Sequence, residues 1–213
     1  LTQSTIKGVI WYQGESNRDD GEIYTRLNIA MIRNWRALFA QGDLPFYYVQ
    51  VAPYNWNQYD SINNNDSTAF DYAIFREAQT NILKEKNTGI ALTMDIAQAD
   101  DLHPRDKKDV GIRLAKNAFA KTYNLKNIQY EGPQFSSFSV NKNIITVSFD
   151  KASIGAGLTT SDNQPPKHFF VAGDDKIFYP ASAAIAGDKV IVQSEKVQHP
   201  VAVRYALDRK SVV

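Results

Sequence analysis

The order of hydrophobic patterns in the first 124 residues constrains this chain most. Three times, a short apolar run suited to a buried strand is followed by an amphipathic helical stripe. Gly8-Val9-Ile10-Trp11-Tyr12, rich in β-branched and aromatic residues, reads as the first strand. Ile23, Leu27, Met31, Trp35 and Phe39 then recur every four residues, which predicts a helix with those side chains inward. Asp43-Leu44-Pro45 ends it. Phe46 to Val51 reads as the second strand, and Phe70, Ile74, Ala78 and Ile82 as the apolar face of the second helix. Gly89 to Met94 is the third strand. Val110 and Leu114, with Ala115, Phe119 and Tyr123 alongside, mark the third helix. Repeated strand-then-helix units imply parallel strands with helices packed on the sheet. Such sheets gather functional groups in loops beyond the carboxyl ends of their strands. Three strands make a thin sheet, so further strands are expected upstream.

After Asn124 the character changes. Phe138 to Phe149 reads as a hairpin turning near Asn141 to Asn143, and Ala152 to Pro166 as loop. His168 to Val171, Lys176 to Tyr179, Val190 to Gln193 and Val201 to Tyr205 are short strand-like runs between turns, an antiparallel pattern. The chain therefore divides into an α/β domain over 1–124 and a β-rich segment over 125–213. Within the first, Pro53 to Thr68 is a polar stretch of 16 residues, long for a connector and of the kind that often carries function.

Composition narrows the function. The 24 basic and 23 acidic residues leave a net charge of +1, with no broad electrostatic footprint for nucleic acid or an anionic membrane. No apolar run reaches the roughly 18 to 20 residues of a membrane-spanning helix. The chain has 0 cysteines, which excludes disulfides, a thiolate nucleophile and Cys-ligated metal. Gly155-Ala156-Gly157 lacks the lysine of a phosphate loop, so a nucleotide site is not expected. Asn65-Asp66-Ser67 matches a glycosylation sequon, a pattern short enough to arise by chance. Leu1 to Ile6 has no basic or apolar targeting pattern and no initiator Met, so the chain reads as a processed or truncated piece.

Two loops at carboxyl ends of predicted strands could carry chemistry. In Asp100-Asp101-Leu102-His103-Pro104, Asp100 can fold back to accept a hydrogen bond from His103. That would orient the ring and stabilise its cation, leaving the other nitrogen as a general base. The plainer alternative is an exposed turn whose carboxylates favour the following helix N-terminus. His168 and His199 lie among predicted strands and read as structural. In Gln13-Gly14-Glu15-Ser16-Asn17, side-chain amides could donate to an oxyanion, Glu15 could hold a histidine, and the glycine allows close backbone approach. Alternatively, Ser16 or Asn17 simply starts a turn or caps the next helix. A metal reading on Asp95, Asp100, Asp101 and His103 is weaker, because no HExxH or EF-hand spacing is present.

Taken together, GVIWYQGESN (8–17), FREAQ (75–79), TGIALTMDIA (88–97), DLHPRDKKDVGIRLAKNAF (101–119) and the stretch 169–206 resemble the sialate O-acetylesterase family of SGNH/GDSL-type carbohydrate esterases. Acetylxylan esterases are a related resemblance. The resemblance implies a partial flavodoxin-like SGNH hydrolase α/β/α sandwich followed by a β-rich segment. It implies hydrolysis of O-acetyl esters on carbohydrates, typically sialic acids, without metal or organic cofactor. His103 would be the base, with Asp100, Asp101 or Glu15 as the acid. Gln13 would be an oxyanion-hole donor, with Asn17 beside it. The family's serine lies in a GQSN-type block upstream of the WYQGESN block, and no such block precedes residue 8. The family's closing segment after Arg204-Tyr205 is missing too. The chain is thus expected to be a fragment whose nucleophile lies elsewhere. The rival placement makes Ser16 the nucleophile. Expected partners are an acetylated carbohydrate and the missing N-terminal part of the same enzyme, in a secreted or periplasmic setting. Tyr54, Trp56 and Tyr59 could stack on a sugar ring or cover the sheet edge. A non-catalytic carbohydrate-binding module is the alternative of a different class.

Overall fold

A computed structural model describes residues 2–56 and 71–206, which part into two compact units between Tyr130 and Glu131. In the first unit the elements run β1 (Val9–Trp11), α1 (Glu22–Phe39), β2 (Phe46–Val49), α2 (Asp71–Asn81), β3 (Thr88–Ala91) and α3 (Lys107–Lys121). The strands form one parallel sheet in the order β1-β2-β3. Strand β2 is buried at all four positions because both of its faces are covered. Phe46 and Tyr48 point to the side of α1 and α2, with Tyr24, Ile32, Tyr72 and Phe75. Tyr47 and Val49 point to the side of α3, with Val110 and Leu114. Helices thus cover both faces of an α/β layer, as the repeated strand-then-helix pattern requires. Among the described residues, no helix is long and apolar enough to cross a membrane.

The packed face of α1 differs from the predicted stripe. Ile23 and Leu27 are exposed, and the buried positions are Tyr24, Thr25, Asn28, Ile32 and Arg36. Residues spaced by four drift about 40° per step around a helix of 3.6 residues per turn, so five of them cannot all face one core. Met31 and Trp35 still touch the cluster. The buried polar members escaped the reading because each is satisfied internally. Thr25 Oγ1 donates to Ala78 O at 2.7 Å, and Asn28 Nδ2 to Tyr24 O at 3.0 Å. Likewise, on α2 Ile74 is exposed while Tyr72, Phe75 and Gln79 are buried, and on α3 Phe119 is exposed, as is Tyr123 just beyond it. Phe70 lies outside the described residues.

The second unit holds β4 (Phe135–Asn141), β5 (Ile144–Phe149), β6 (Phe169–Ala172), β7 (Phe178–Ala186), β8 (Lys189–Gln193) and β9 (Ala202–Tyr205). They form a six-stranded antiparallel sheet in the order β4-β5-β8-β7-β6-β9. Its core is Ile145, Val147, Phe169, Val171, Val190 and Val192. The β4–β5 turn falls where the hairpin signal put it, with Lys142 at a φ of 55°. Strand β7 runs well past the predicted Tyr179. Its Pro-Ala-Ser-Ala-Ala stretch has little β-propensity of its own and is held by pairing, Pro180 and Ala181 with β6 and Ser182 onward with β8.

Arg36 ties α1 to the segments preceding β2 and β3. It donates from Nε to Leu44 O at 3.0 Å, from Nη1 to Glu85 at 3.0 Å and from Nη2 to Lys86 O at 2.6 Å. Replacing it by Met leaves the Leu44 and Lys86 carbonyls without this donor and Glu85 paired with Arg33 alone. Arg36→Met should lower the unfolding free energy in urea by about 2–3 kcal/mol. A loss under about 1 kcal/mol would show that the guanidinium only fills space.

Candidate active site

Beyond β1 the chain turns at Gly14 and enters a short 3₁₀ turn, Glu15–Asn17. Tyr24 Oη donates to the Gln13 carbonyl at 2.8 Å. Gln13 Nε2 donates to Asn17 Oδ1 at 2.5 Å, and Asn17 Nδ2 donates to Asp20 Oδ2 at 2.8 Å. The two predicted amide donors are therefore brought together and hold one another. Each amide nitrogen keeps a second hydrogen for an acceptor outside this chain of bonds.

Gly14 is required by its surroundings. Its φ is 153°, and a Cβ there would lie 3.0 Å from Gln79 Nε2, 3.1 Å from Val51 Cγ1 and 3.2 Å from Phe75 Cε1. The Gln79 side chain is fully buried, and its Oε1 accepts from Val51 N at 2.9 Å. Helix α2 makes further anchors to the carboxyl end of β2. Tyr48 Oη donates to Gln79 O at 2.7 Å, Gln50 Nε2 to Arg76 O at 3.1 Å, and Tyr72 Oη to Ala52 O at 2.7 Å. Sequence reasoning gave Gln79 no role. The available signal was a long amide one helical turn from Phe75, on a face that must be buried.

Trp56 is buried, with the Arg18 guanidinium 4.2 Å from its ring centroid and Tyr54 and Tyr72 edge-on at 4.8 and 5.7 Å. It is part of the core and has no face free for a sugar. Tyr59 and Asn65 lie outside the described residues.

The loop after β3 is pinned at three points. Arg113 holds Asp95 through two 2.6 Å bonds and donates to Leu92 O at 2.7 Å. The Asp95 hydrogen bond raises the guanidinium pKa further. Asn55 N donates to Ala99 O at 2.6 Å, and Leu102 packs on the Tyr24–Trp56–Tyr72 cluster. Directly after the last of these anchors His103 is exposed. Its backbone N–H donates to Asp101 Oδ1 at 2.9 Å, so the carboxylate that folds back here is Asp101. Asp100 is exposed and does not bond the ring, and Glu15 forms no ion pair with it. The N-cap of α3 is Asp106, which accepts from Asp109 N at 2.9 Å. Ser16 is exposed, with no hydrogen bond to His103 among the described residues. Among those residues, no three His, Cys, Asp or Glu side chains come together as a metal site would need.

Tyr12 joins the two loops. Its ring sits in the cluster with Tyr47, Ile96 and Val110, and Lys107 Nζ lies 5.0 Å from its centroid. Burial, and secondarily the Glu15 charge, push its pKa up to about 12. Burial also raises Tyr24, Tyr48 and Tyr72. The Tyr12 hydroxyl is itself buried without a partner among the described residues.

Residues 1–120 match the sequence profile of a carbohydrate esterase family, the sialic acid-specific acetylesterases. The chain belongs to this family. It is 33% identical over 151 residues to the sialate O-acetylesterase of Mus musculus, a match over 62% of this chain and 26% of that protein. The sialate O-acetylesterase of Homo sapiens is 34% identical over 147 residues, covering 62% of this chain and 27% of that one. A solved carbohydrate acetylesterase from Xanthomonas citri superposes with a TM-score of 0.85 at 37% identity, covering 96% of this chain and 46% of that one. The match to these sialate acetylesterases thus spans about a quarter of their length. The family profile covers the unit that holds Gln13, Glu15, Asn17 and His103.

Two outcomes follow from this geometry. Gly14→Ala should cost about 1–3 kcal/mol of stability through the strained φ and the crowding on Gln79, read by thermal or urea unfolding. Unchanged stability would show that Gln79 yields freely. The folded state holds the Tyr12 proton more tightly than the unfolded chain does. That contribution is full below pH 10 and is lost as pH rises towards about 12. Tyr12→Phe should be as stable as wild type at pH 7, since it removes an unpaired hydroxyl. It should also lose less stability between pH 10 and 12. Equal losses in both proteins would show that Tyr12 titrates as an ordinary phenol.

Proposed function

We propose that this chain supplies the histidine and oxyanion side of an esterase that removes O-acetyl groups from carbohydrates, with acetylated sialic acids as the substrate class. One observation carries the reading. The family profile matches residues 1–120, and that span includes both loops at the carboxyl ends of β1 and β3. The names of the relatives, sialate O-acetylesterase and carbohydrate acetylesterase, support the substrate class.

In this reading a serine hydroxyl attacks the acetyl carbonyl while His103 takes its proton. The C–O bond to the sugar then breaks, and His103 returns the proton to the leaving sugar oxygen. Water next attacks the acetyl-enzyme, His103 takes a proton from it, and acetate leaves as the serine is restored. Gln13 Nε2 offers its second hydrogen to the oxyanion, and Asn17 fixes its direction. The serine comes from a part of the polypeptide outside these 213 residues. The exposed His103 ring has its acid partner supplied on binding, with Asp100, Asp101 and Glu15 as the carboxylates within its two loops.

The test is acetate release from O-acetylated sialic acid by the full-length polypeptide. His103→Ala should lower turnover by roughly 10³-fold or more with folding intact. Turnover within tenfold of wild type would remove His103 from the mechanism. Gln13→Ala should lower turnover by roughly 10²-fold, the scale of one lost oxyanion donor.

A further inference from the structure

The oxygen and nitrogen ends of an amide are nearly equal in size, so packing does not choose which end of Gln13 faces the site. Hydrogen bonding chooses. The bonds around Gln13 all run in one sense. Tyr24 Oη donates to the Gln13 carbonyl at 2.8 Å and lies 3.3 Å from Gln13 Oε1. Gln13 Nε2 donates to Asn17 Oδ1, and Asn17 Nδ2 donates to Asp20 Oδ2 at 2.8 Å.

Three of these four side chains could serve either sense. A hydroxyl donates or accepts, and either amide can be turned over. The Asp20 carboxylate differs, because an ionised carboxylate only accepts. It requires the nitrogen of Asn17. That leaves Asn17 Oδ1 for Gln13, which in turn requires the nitrogen of Gln13. Hydrogen bonds to an ionised group are roughly twice as strong as neutral ones, so this end sets the direction of the rest. Asp20 is itself held in place by its backbone. Its N–H donates to Asn17 O at 2.9 Å, and its carbonyl accepts from Ile23 N at 3.0 Å. The N-cap of α1 is the following residue, Gly21, and the Asp20 carboxylate turns back to Asn17.

We propose that Asp20 is a positioning residue of the candidate site. Its carboxylate fixes the direction of the Asn17 amide and, through it, offers the nitrogen of Gln13 in place of the oxygen. The inference rests on the proposed function only for what that nitrogen meets, the oxyanion formed from the acetyl carbonyl. A reversed Gln13 would turn its Oε1 lone pairs towards the same oxyanion and replace a donor by a repulsive group.

Acetate release from O-acetylated sialic acid by the full-length polypeptide tests it. Asp20→Lys exchanges an acceptor-only group for a donor-only one and reverses the chain of bonds. Its kcat should fall roughly 10²-fold, the scale of one lost oxyanion donor, with KM within about threefold. In a Gln13→Ala background the same change should lower kcat by less than about threefold more, because Asp20 acts through Gln13. The pair Asn17→Asp with Asp20→Asn keeps an acceptor opposite the Gln13 nitrogen, and its kcat should stay within about tenfold of wild type. Asp19→Lys makes the same charge change at the exposed neighbour and should leave kcat within about threefold. A kcat within threefold of wild type in Asp20→Lys overturns the proposal. So does a full further loss in the Gln13→Ala background, an equal loss in Asp19→Lys, or a swapped pair no better than Asp20→Lys. Neutron diffraction from crystals of the full-length protein locates deuterium and gives a reading free of turnover. The wild type should carry two deuterons on the Gln13 atom facing Asn17, and Asp20→Lys on the atom facing Tyr24. Deuterons facing Tyr24 in the wild type overturn the proposal. The expected orientation without acetate release sinks the esterase assignment alone, and acetate release indifferent to Asp20→Lys sinks the positioning alone.

Discussion

One buried amide, Gln79, joins the carboxyl end of β2 to the loop beyond β1, and the candidate site depends on it. Gln79 reaches from α2 to accept the Val51 N–H, and the same side chain packs against Gly14 beyond β1. A buried amide in an apolar setting is costly unless bonded, so Gln79 tolerates few arrangements of its neighbours. Gly14 is then forced to be glycine, and Gln13 is delivered where Tyr24 and Asn17 can hold it. Helix–strand packing becomes side-chain geometry by this route.

His103 is treated differently. Its loop is anchored through Arg113–Asp95, through Asn55–Ala99 and through Leu102, yet His103, just after the last anchor, stays exposed. Strong fixation of the frame and a free ring suit a base that completes its contacts on meeting its partners. Tyr12 links this frame to the Gln13 loop by presenting its ring face to Lys107. It does so at the cost of an unpaired buried hydroxyl.

The layers of the fold were legible because they rest on periodicity. Gly8 to Tyr12, Phe46 to Val51 and Gly89 to Met94 are apolar runs that read as strands, and each holds one, although β1 is left partly exposed at Ile10. The inward face of α1 was not legible, because Arg36 and Thr25 are buried by virtue of carbonyls that are in reach only once Leu44, Lys86 and Ala78 are in place. The two loops that hold the candidate site were readable, since both follow strand ends. The carboxylate that bonds the His103 backbone was not, because Asp101 meets that N–H in a tight turn that the Asp-x-x-His spacing does not show. Trp56 shows the same limit: in a polar stretch it reads equally as a sugar-stacking ring or as cover for the sheet edge until Arg18, Tyr54 and Tyr72 close around it.

The sheet carries the sharpest contrast, one edge sealed by Arg113, Asn117 and Lys121 and the other ending in a bare Ile10. The central claim is that the histidine and oxyanion side of the esterase lie in this chain while its nucleophile does not. Labelling the full-length polypeptide with a serine-reactive fluorophosphonate, followed by mass-spectrometric mapping of the modified residue, addresses it most directly. The account predicts a single labelled serine outside these 213 residues, with labelling lost in His103→Ala. Labelling of Ser16 would contradict it and place the nucleophile on the 3₁₀ turn beyond β1.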